Sequence, residues 1–279
     1  MAGPSSEPSP GLSRVVLLTG AAGGIGRVMT QALLSDGHRV VAADRDAASL
    51  DQLKAGAGAQ LVTVTADLGT EVGCLKAVET ARSAFGGIDA LINNAGIGMS
   101  AIRPDAEARH PGIEELSPDI WDRFFAIFMR APVTLAHAVL PMMKQRGFGR
   151  IVNNTTSYLT MLRVLPYGSA KAALESMSAV WASEMQGSPI TVNVLVPGGP
   201  TDTALIADGA GWDRSKMLRP EIMGPPIRFL ISDAGAACNG KRITAARWDE
   251  KLAPAEAAER ASRPIGWPEL SSDAVWLKG

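Results

Sequence analysis

Short apolar runs alternate with longer segments of helical periodicity along most of the chain. The runs that predict strands are residues 15–18, 40–43, 60–65, 88–92, 151–154, 190–196 and 241–246. The segments that predict helices are residues 27–35, 71–85, 118–146 with a bend at Pro132, 167–185, 223–231 and 256–261. Strands that alternate with helices form a parallel sheet with right-handed crossovers. We therefore predict an α/β fold, in which helices flank a doubly wound parallel sheet in a single domain.

The first predicted strand runs directly into a glycine-rich turn, Thr19 to Gly26, which reads TGAAGGIG. Gly20 can turn the chain sharply because it has no Cβ atom. Gly24 and Gly26 allow close approach of a ligand and close packing of the next helix on the sheet. The free N–H groups at that helix N-terminus suit a pyrophosphate. A glycine-rich turn without a ligand is the alternative, and this stretch alone does not decide between them.

The second predicted strand ends at Asp44. An acidic residue at this place in a nucleotide-binding βαβ unit accepts hydrogen bonds from the adenosine ribose hydroxyls. Its charge also repels a 2′-phosphate, which favours NAD over NADP. Arg45 follows directly and can reach a phosphate. The alternative role for Asp44 is to cap the helix that follows it.

Small and polar residues follow four other predicted strands. They are Asp67-Leu68, Asn93-Asn94-Ala95-Gly96, Thr155-Thr156-Ser157 and Pro197-Gly198. The carboxyl ends of parallel strands meet at one edge of a sheet, where open α/β sheets bind ligands. The pattern predicts a binding crevice at this edge, with ordinary turns as the alternative.

Tyr167 and Lys171 open a predicted helix and lie four residues apart, so they share one helix face. The ammonium group is expected to favour the phenolate and so to lower the tyrosine pKa. A hydroxyl from Thr156 or Ser157 can hydrogen-bond a substrate oxygen and stabilise the charge that develops there. This arrangement suits hydride transfer between a nicotinamide and a carbinol carbon, with Tyr167 exchanging the proton. A surface contact between the two side chains is the alternative.

Together these motifs resemble the classical short-chain dehydrogenase/reductase family. The matching segments are Thr19-Gly20-x-x-x-Gly24-x-Gly26, Asp44, Asp67-Leu68, Asn93-Asn94-Ala95-Gly96, Gly149-Arg150-Ile151-Val152-Asn153, Tyr167-x-x-x-Lys171 and Pro197-Gly198. They occur in the family's order and cover roughly residues 15–240. The resemblance implies a Rossmann-type fold and an NAD(H)-dependent oxidoreductase that interconverts a secondary alcohol and its ketone.

The resemblance also implies roles for individual residues. Tyr167 is the expected general acid/base, Lys171 tunes it and holds the nicotinamide ribose, and Thr156 or Ser157 fills the place of the family's serine. The expected cofactor-binding residues are Gly20, Gly24, Ile25, Gly26, Asp44, Arg45, Asp67, Leu68, Asn94, Ala95, Gly96, Tyr167, Lys171, Pro197 and Gly198. We expect no metal site, and a homotetramer or homodimer.

One residue departs from the family pattern at a functional position. Counting on from Trp121 places Phe128 where the family carries a catalytic asparagine. That asparagine helps to hold a water in the proton relay to the lysine, which phenylalanine cannot do. The alternative reading of the chain is therefore a catalytically weak or inactive nucleotide-binding or scaffold protein on the same fold.

Two loops lack a regular pattern and lie near the predicted crevice. The first spans residues 97–118 and carries His110, for which a solvated loop position is the expected reading. The second, residues 203–217, takes the place of the family's substrate lid. In it we expect Trp212 and Met217 to face the substrate; a mobile loop is the alternative.

Composition limits the partners and the location. The net charge of the 279 residues is −1, which gives no basis for binding nucleic acid or an anionic membrane. No apolar run reaches transmembrane length. Cys74 and Cys238 match no metal or redox motif, so we expect free thiols and a cytoplasmic protein.

Three regions follow from these patterns. Residues 1–13 predict a disordered N-terminal arm, rich in Pro, Ser and Gly. We expect residues 14–246 to form the dinucleotide-binding and catalytic domain that the resemblance implies. Residues 247–279 form an atypical C-terminal extension, whose Trp267 and Trp276 we expect to pack on the body or on a neighbouring subunit.

Overall fold

The computed structural model describes residues 12–273. Within them, eight strands are β1 Val15–Thr19, β2 Arg39–Asp44, β3 Leu61–Thr65, β4 Ala90–Asn93, β5 Gly149–Asn154, β6 Ile190–Val196, β7 Lys241–Thr244 and β8 Ser262–Pro264. The helices are α1 Gly24–Ser35, α2 Ala47–Lys54, α3 Glu71–Phe85, α4 Pro118–Phe125, α5 Ala131–Arg146, α6 Tyr158–Met161, α7 Tyr167–Glu184, α8 Gly224–Ile231 and α9 Pro254–Ala261.

The strands form one sheet in the order β3-β2-β1-β4-β5-β6-β7-β8. The first seven strands are parallel, and β8 pairs antiparallel with β7. This confirms the predicted doubly wound α/β fold. The strand order reverses between β1 and β4, so the carboxyl ends of these two strands open a crevice there, as open α/β sheets do at such a point.

Helices cover both faces of the sheet, which explains why its central strands read as continuous apolar runs. All five residues of β1 and all seven of β6 are buried. Side chains of α1, α2, α8 and α9 pack on one face, and side chains of α3, α5 and α7 pack on the other. The core is therefore two apolar layers separated by the sheet.

The long helical stretch before β5 is interrupted, but not in the way the sequence predicts. A single π-helical turn, Ala126–Arg130, joins α4 to α5, and Pro132 lies in the first turn of α5. Pro132 has no N–H to donate to the turn before it, and the irregular turn lies directly on its N-terminal side. The irregularity therefore falls at Phe128, four residues before the expected bend.

This same stretch qualifies the prediction that no segment reaches transmembrane length. Among the described residues, Pro118–Arg146 is the one helical stretch that is long and apolar enough to cross a membrane by length and composition. Leu135, Val139 and Met143 of α5 pack in the layer shared with α3 and the sheet. Because this face belongs to the protein core, we interpret the stretch as a core helix.

The segment after β7 folds back onto the body. A 3-10 turn, Ala245–Arg247, ends the predicted strand early, and α9 and β8 follow it. The rings of Trp248 and Phe229 pack together with centroids 5.8 Å apart, and the rings of Trp267 and Tyr158 pack together with centroids 5.7 Å apart. The predicted contact of Trp276 lies outside the described residues, as do residues 1–11 of the arm predicted over residues 1–13.

Candidate active site

Three glycines of the turn between β1 and α1, Gly20, Gly24 and Gly26, leave no room for a side chain. Gly20 has a φ of 63°, which favours glycine. A Cβ atom at Gly26 would overlap the carbonyl oxygen of Gly20, and one at Gly20 would lie 2.7 Å from Ala95 Cα. The N-cap, Gly23, has no side chain to occupy the first N–H groups of α1. The cradle and its free donors therefore fit a pyrophosphate.

Thr203, which belongs to none of the sequence motifs, lies over this turn. A Cβ atom at Gly24 would come within 2.7 Å of Thr203 Cγ2. Thr203 belongs to the loop after β6, whose two ends are joined by backbone hydrogen bonds between Leu218 and residues Pro200 and Asp202. Because Thr203 and Gly24 are far apart in sequence, only the folded chain brings the Thr203 side chain to the N-terminus of α1.

Asp44 lies at the end of β2 and braces the glycine turn. Its Oδ2 accepts a hydrogen bond from the Ala22 amide at 3.0 Å, and its Oδ1 accepts one from Asp46 N at 3.1 Å. The N-cap of α2 is Asp46, whose carboxylate accepts from Ser49 N. The capping alternative for Asp44 is therefore wrong. The carboxylate is half-buried, and each oxygen retains a lone pair for a further donor.

Of the predicted pair Asp67 and Leu68, the first lies at the surface and the second in the core. Asp67 is exposed, and its Oδ1 accepts from Gly69 N at 2.9 Å in a local turn. The side chain of Leu68 is buried among core residues. Only the backbone of Leu68 is therefore available to a ligand in the crevice. Ile25 is half-buried and packs against the core, whereas Arg45 is exposed.

The segment after β4 is tied to β1 by a hydrogen-bond network. Thr19 Oγ1 accepts from the amides of Asn94 and Ala95 at 2.9 and 3.0 Å. Asn94 Nδ2 donates to the carbonyl oxygens of Thr19 and Gly20, each at 3.0 Å. These bonds fix the wall of the crevice against the glycine turn, a structural role that the sequence motif alone does not reveal.

Two more glycines permit close packing at the crevice. A Cβ atom at Gly96 would lie 2.7 Å from Phe128 Cε1. Gly198 has a φ of 104°, and a Cβ atom there would lie 2.7 Å from Thr244 Cγ2. With Pro197, it redirects the chain at the end of β6 into the loop that covers α1. The predicted strand-end residues are thus collected at one edge of the sheet.

Tyr167 and Lys171 lie in the first turns of α7, beside the ends of β4 and β5. Lys171 is buried, and its Nζ donates to the carbonyl oxygen of Asn154 at 2.6 Å. Burial lowers the pKa of Lys171 to about 7. Burial likewise raises the pKa of Tyr167 to about 12. Desolvation disfavours the charged form of each group, so the predicted lowering of the Tyr167 pKa by Lys171 is not what the structure gives.

The two candidate hydroxyls have different partners. A hydrogen bond from the Thr156 side chain lowers the Tyr167 pKa against the effect of burial. Ser157 Oγ instead accepts from Thr160 N at 3.1 Å and contacts Thr160 Oγ1 at 2.8 Å, and so caps α6. Of the alternatives left open by the sequence, this effect on the Tyr167 pKa favours Thr156 as the partner of Tyr167.

Phe128 fills the position expected for asparagine. It is 2% exposed, and its ring meets the ring of Tyr167 edge-on, with centroids 5.2 Å apart. Lys171 Nζ lies 4.4 Å from the Phe128 centroid. The ammonium therefore faces an aromatic surface, where an asparagine would have offered hydrogen bonds.

Comparison with known proteins identifies the family. The model of the short chain dehydrogenase family matches residues 14–211. The chain belongs to this family. It is similar to a short-chain type dehydrogenase/reductase of Picea abies, with 28% identity over 251 residues, which are 82% of this chain and 90% of that protein.

Solved structures of short-chain dehydrogenases agree with this assignment. The 3-ketoacyl-(acyl-carrier-protein) reductase of Brucella melitensis, complexed with NADH, superposes with a TM-score of 0.70 at 26% identity, over 83% of this chain and 95% of that one. The L-sorbose reductase of Gluconobacter frateurii, complexed with NADPH and L-sorbose, gives a TM-score of 0.69 at 25% identity, over 82% and 94%. This chain is therefore an oxidoreductase. Members of the family bind NAD(H) or NADP(H) and act on small alcohol or carbonyl substrates.

In this short-chain dehydrogenase the loop of residues 97–117 is folded against the site. Met99 and Ala106 pack with Phe128 in one apolar cluster, and Tyr167 lies against that cluster. Glu107 accepts a hydrogen bond from Met99 N at 3.3 Å, and burial raises its pKa. Its negative charge adds to the rise in the Tyr167 pKa. His110 is exposed, as the sequence predicts.

Proposed function

We propose that the protein is an NAD(H)-dependent oxidoreductase that interconverts a secondary alcohol and its ketone, with Tyr167 as general acid/base. The observation that carries this proposal is the placement of Tyr167 beside Thr156 and Lys171, at the sheet edge that also holds the glycine turn. A nicotinamide cofactor, when bound, supplies or accepts the hydride. The residues of this chain provide the binding and the proton transfer.

The Thr156 hydroxyl and the Tyr167 phenol would both contact the substrate oxygen. A phenol with a pKa of about 12 is protonated at neutral pH, which is the form that donates a proton to a carbonyl oxygen. The Thr156 hydroxyl would stabilise the negative charge as it develops. Lys171 anchors the floor of the site through the Asn154 carbonyl, and we assign the nicotinamide ribose to this ammonium.

The preference for NAD rests on Asp44. Its carboxylate lies at the end of β2, two residues before α2 is capped, and its Ala22 contact places it next to the pyrophosphate turn. A ribose with free hydroxyls can donate to this carboxylate, whereas a 2′-phosphate would meet its negative charge. Arg45 is exposed and adjacent to Asp44, and a comparison of NADH with NADPH measures which of the two charges prevails.

The proposed reaction and the names of the relatives support a ketone, or the alcohol formed from it, as the substrate. The two solved relatives are named for reduction of a 3-ketoacyl group and of L-sorbose, both of which carry a ketone. The loop after β6 would cover the substrate. Arg214 holds it through Asp202 and Asp208, each at 2.7 Å. Trp212 is 41% exposed and available to a substrate, whereas Met217 is 8% exposed and supports the loop from within.

Two measurements test the proposal. Calorimetric titration with NADH and, separately, with NADPH should show tighter binding of NADH. A screen of secondary alcohols with NAD⁺ should then find turnover, and Tyr167→Phe should reduce kcat by about 10²–10⁴-fold while NADH binding is retained. Equal turnover by Tyr167→Phe would contradict the assigned mechanism.

A second candidate function is nucleotide binding without efficient turnover, and Phe128 favours it. Its ring removes the polar side chain that the family uses to relay protons to the lysine. This candidate requires NADH binding with no turnover in the alcohol screen, and it requires Tyr167→Phe to bind NADH like the wild type. Turnover that depends on Tyr167 would exclude it.

Assembly and location belong to the same proposal. Val133 on α5 and Val180 on α7 are 40% and 54% exposed, and we propose that these long helices pair in a homodimer or homotetramer. Light scattering of the wild type and of Val180→Glu tests this, because the charge would weaken such an interface. Cys74 and Cys238 are free thiols, which is in keeping with a cytoplasmic protein.

A further inference from the structure

A buried ion pair lies directly behind the end of β5. Glu175 on α7 is fully buried, and the side chain of Arg242 on β7 is 5% exposed. Arg242 Nη1 donates to Glu175 Oε2 at 2.6 Å. The two residues are 67 positions apart, so no local pattern in the sequence joins them.

The Glu175 carboxylate is hydrogen-bonded on both oxygens. Its Oε2 also accepts from Thr155 Oγ1 at 2.7 Å. Its Oε1 accepts from the Gly266 amide at 3.3 Å and faces the Tyr158 hydroxyl at 3.5 Å. A buried charge is tolerated only when it is paired and its remaining lone pairs are satisfied, and this carboxylate meets both conditions.

The guanidinium of Arg242 extends this network to the active site. Nη1 also donates to Thr155 Oγ1 at 3.1 Å, and Nη2 donates to the carbonyl oxygen of Thr156 at 2.5 Å. One planar group therefore holds two consecutive residues, including the one whose hydroxyl interacts with Tyr167. A lysine could not reproduce this fork of donors.

The segment after β8 also contacts the network around Glu175 and Arg242. The Gly266 carbonyl accepts from the Tyr158 hydroxyl at 2.8 Å. The Tyr158 ring packs against the Trp267 ring, with centroids 5.7 Å apart, and against the Arg242 guanidinium, whose Cζ lies 4.2 Å from the Tyr158 centroid. The segment after β8 thus closes the network that lies behind Thr156.

We propose that Arg242 and Glu175 are positioning residues that hold the backbone at Thr156, so that its hydroxyl faces Tyr167. This inference rests on the proposed function only in assigning chemistry to Thr156 and Tyr167. If the network is removed, the hydrogen bond that lowers the Tyr167 pKa is weakened and that pKa rises. The pyrophosphate turn at β1 makes none of these contacts, so NADH affinity is conserved.

The first test does not depend on turnover. The chain has two tyrosines, so labelling with ¹³Cζ-tyrosine gives two NMR signals, and Tyr158→Phe assigns them. The double variant Glu175→Gln/Arg242→Met removes both charges together, which avoids leaving one buried charge unpaired. Its Tyr167 signal should move in the same direction as in Thr156→Ala.

The second test is kinetic. The double variant should lower kcat by about tenfold to a hundredfold, as expected when a contact group is displaced by about 1 Å. Its Kd for NADH should stay within about twofold of the wild type, and the pH–rate profile should shift to higher pH in the oxidation direction. In the Thr156→Ala background the same double substitution should cause no further loss of kcat, because it acts through Thr156.

Two further variants distinguish a positioning role from a general loss of stability. Arg242→Lys keeps a charge for Glu175, and should fold even if the double variant does not, yet should still move the Tyr167 signal. Arg146→Met is a matched control, because Arg146 pairs with the buried Asp89 at 2.7 Å before β4, at the opposite edge of the sheet. It should lower stability without moving that signal.

The outcomes separate this inference from the proposed function. A Tyr167 signal at its wild-type position in both Arg242 variants would overturn the positioning role, as would fully additive losses of kcat with Thr156→Ala. A shifted signal together with unchanged kcat in Thr156→Ala would support the positioning role and contradict the catalytic role of Thr156.

Discussion

The ammonium nitrogen of Lys171 lies 4.4 Å from the centroid of the Phe128 ring, beneath the site where Tyr167 meets that ring edge-on. A cation above an aromatic face is attracted to it, and the attraction strengthens when both groups are removed from water. In this protein, therefore, an aromatic contact stabilises the charged lysine where the family provides a hydrogen-bonding side chain. The consequences can be measured.

Phe128→Leu should lower the free energy of unfolding by about 1–3 kcal/mol, through lost packing and lost aromatic contacts. The loss should be larger at pH 6 than at pH 9, because Lys171, with a pKa of about 7, carries its charge only at the lower pH. Chemical denaturation at both values measures this. Phe124→Leu is the matched control, since Phe124 is equally buried and packs against Phe128. Equal losses at the two pH values for Phe128→Leu would exclude the cation–π contribution.

Lys171→Met should abolish turnover and yet stabilise the fold at low pH. Below pH 7 the lysine is charged in both states, and the folded state bears the cost of burying the charge. Between pH 7 and 10.5 the folded protein has released this proton and the unfolded chain still holds it, so wild-type stability rises with pH.

The stabilisation by Lys171→Met should therefore be greatest below pH 7, at up to a few kcal/mol, and should shrink towards pH 10.5. Denaturation curves of both proteins across this range measure the difference. A constant difference would mean that the lysine keeps its ordinary pKa in the folded protein.

Thr156→Ala should mainly lower kcat, whereas Ser157→Ala should mainly lower stability. Loss of the Thr156 hydroxyl should reduce kcat by about 10²–10³-fold, as for removal of a donor to a developing oxyanion. Loss of the Ser157 cap should cost about 1 kcal/mol of stability and change kcat far less. Steady-state kinetics and thermal unfolding separate the two, and Thr156→Ser should recover most of the activity. The reverse pattern would assign the catalytic hydroxyl to Ser157.

Asp44→Ala should reduce the preference for NADH over NADPH about tenfold or more, because it removes both the ribose acceptor and the repulsion of a 2′-phosphate. Calorimetric affinities for the two cofactors measure the ratio. Asp46→Ala is the control, since Asp46 lies two residues away, is exposed and caps α2. It should lower stability by about 1 kcal/mol and leave the ratio unchanged. An unchanged ratio in Asp44→Ala would remove the basis for assigning NAD.

Local patterns in the sequence predict much of the fold. The bounds of α3, Glu71–Phe85, and of β6, Ile190–Val196, agree with the prediction at both ends. Helix α3 is predictable because Thr70 caps its start and Gly86, in the left-handed conformation, ends it. Strand β6 is predictable because a strand buried on both faces is apolar throughout. These are interactions between neighbours in the chain, and the sequence displays them directly.

Other features depend on contacts between distant segments. The π-helical turn at Phe128, the edge strand β8 and the placement of Thr203 on Gly24 have no local signature. The same is true of the raised Tyr167 pKa, because it reflects burial by surrounding elements. Sequence spacing places Tyr167 and Lys171 on one helix face, but it does not determine how far the two side chains are exposed to solvent.

The sequence by itself therefore determined the alternation of strands β1 to β7 with their main helices, the glycine turn and the placement of Tyr167 and Lys171 on one helix face. These depend on periodicity, glycine conformation and helix geometry, which act over a few residues. The sequence did not reveal α2, α6 or β8. Only the tertiary structure showed that Ser157 caps α6, which leaves Thr156 as the hydroxyl that we propose for the active site. It also joined Arg242 to Glu175 behind Thr156, because a buried charge finds its partner through packing of the whole chain and not through spacing along it.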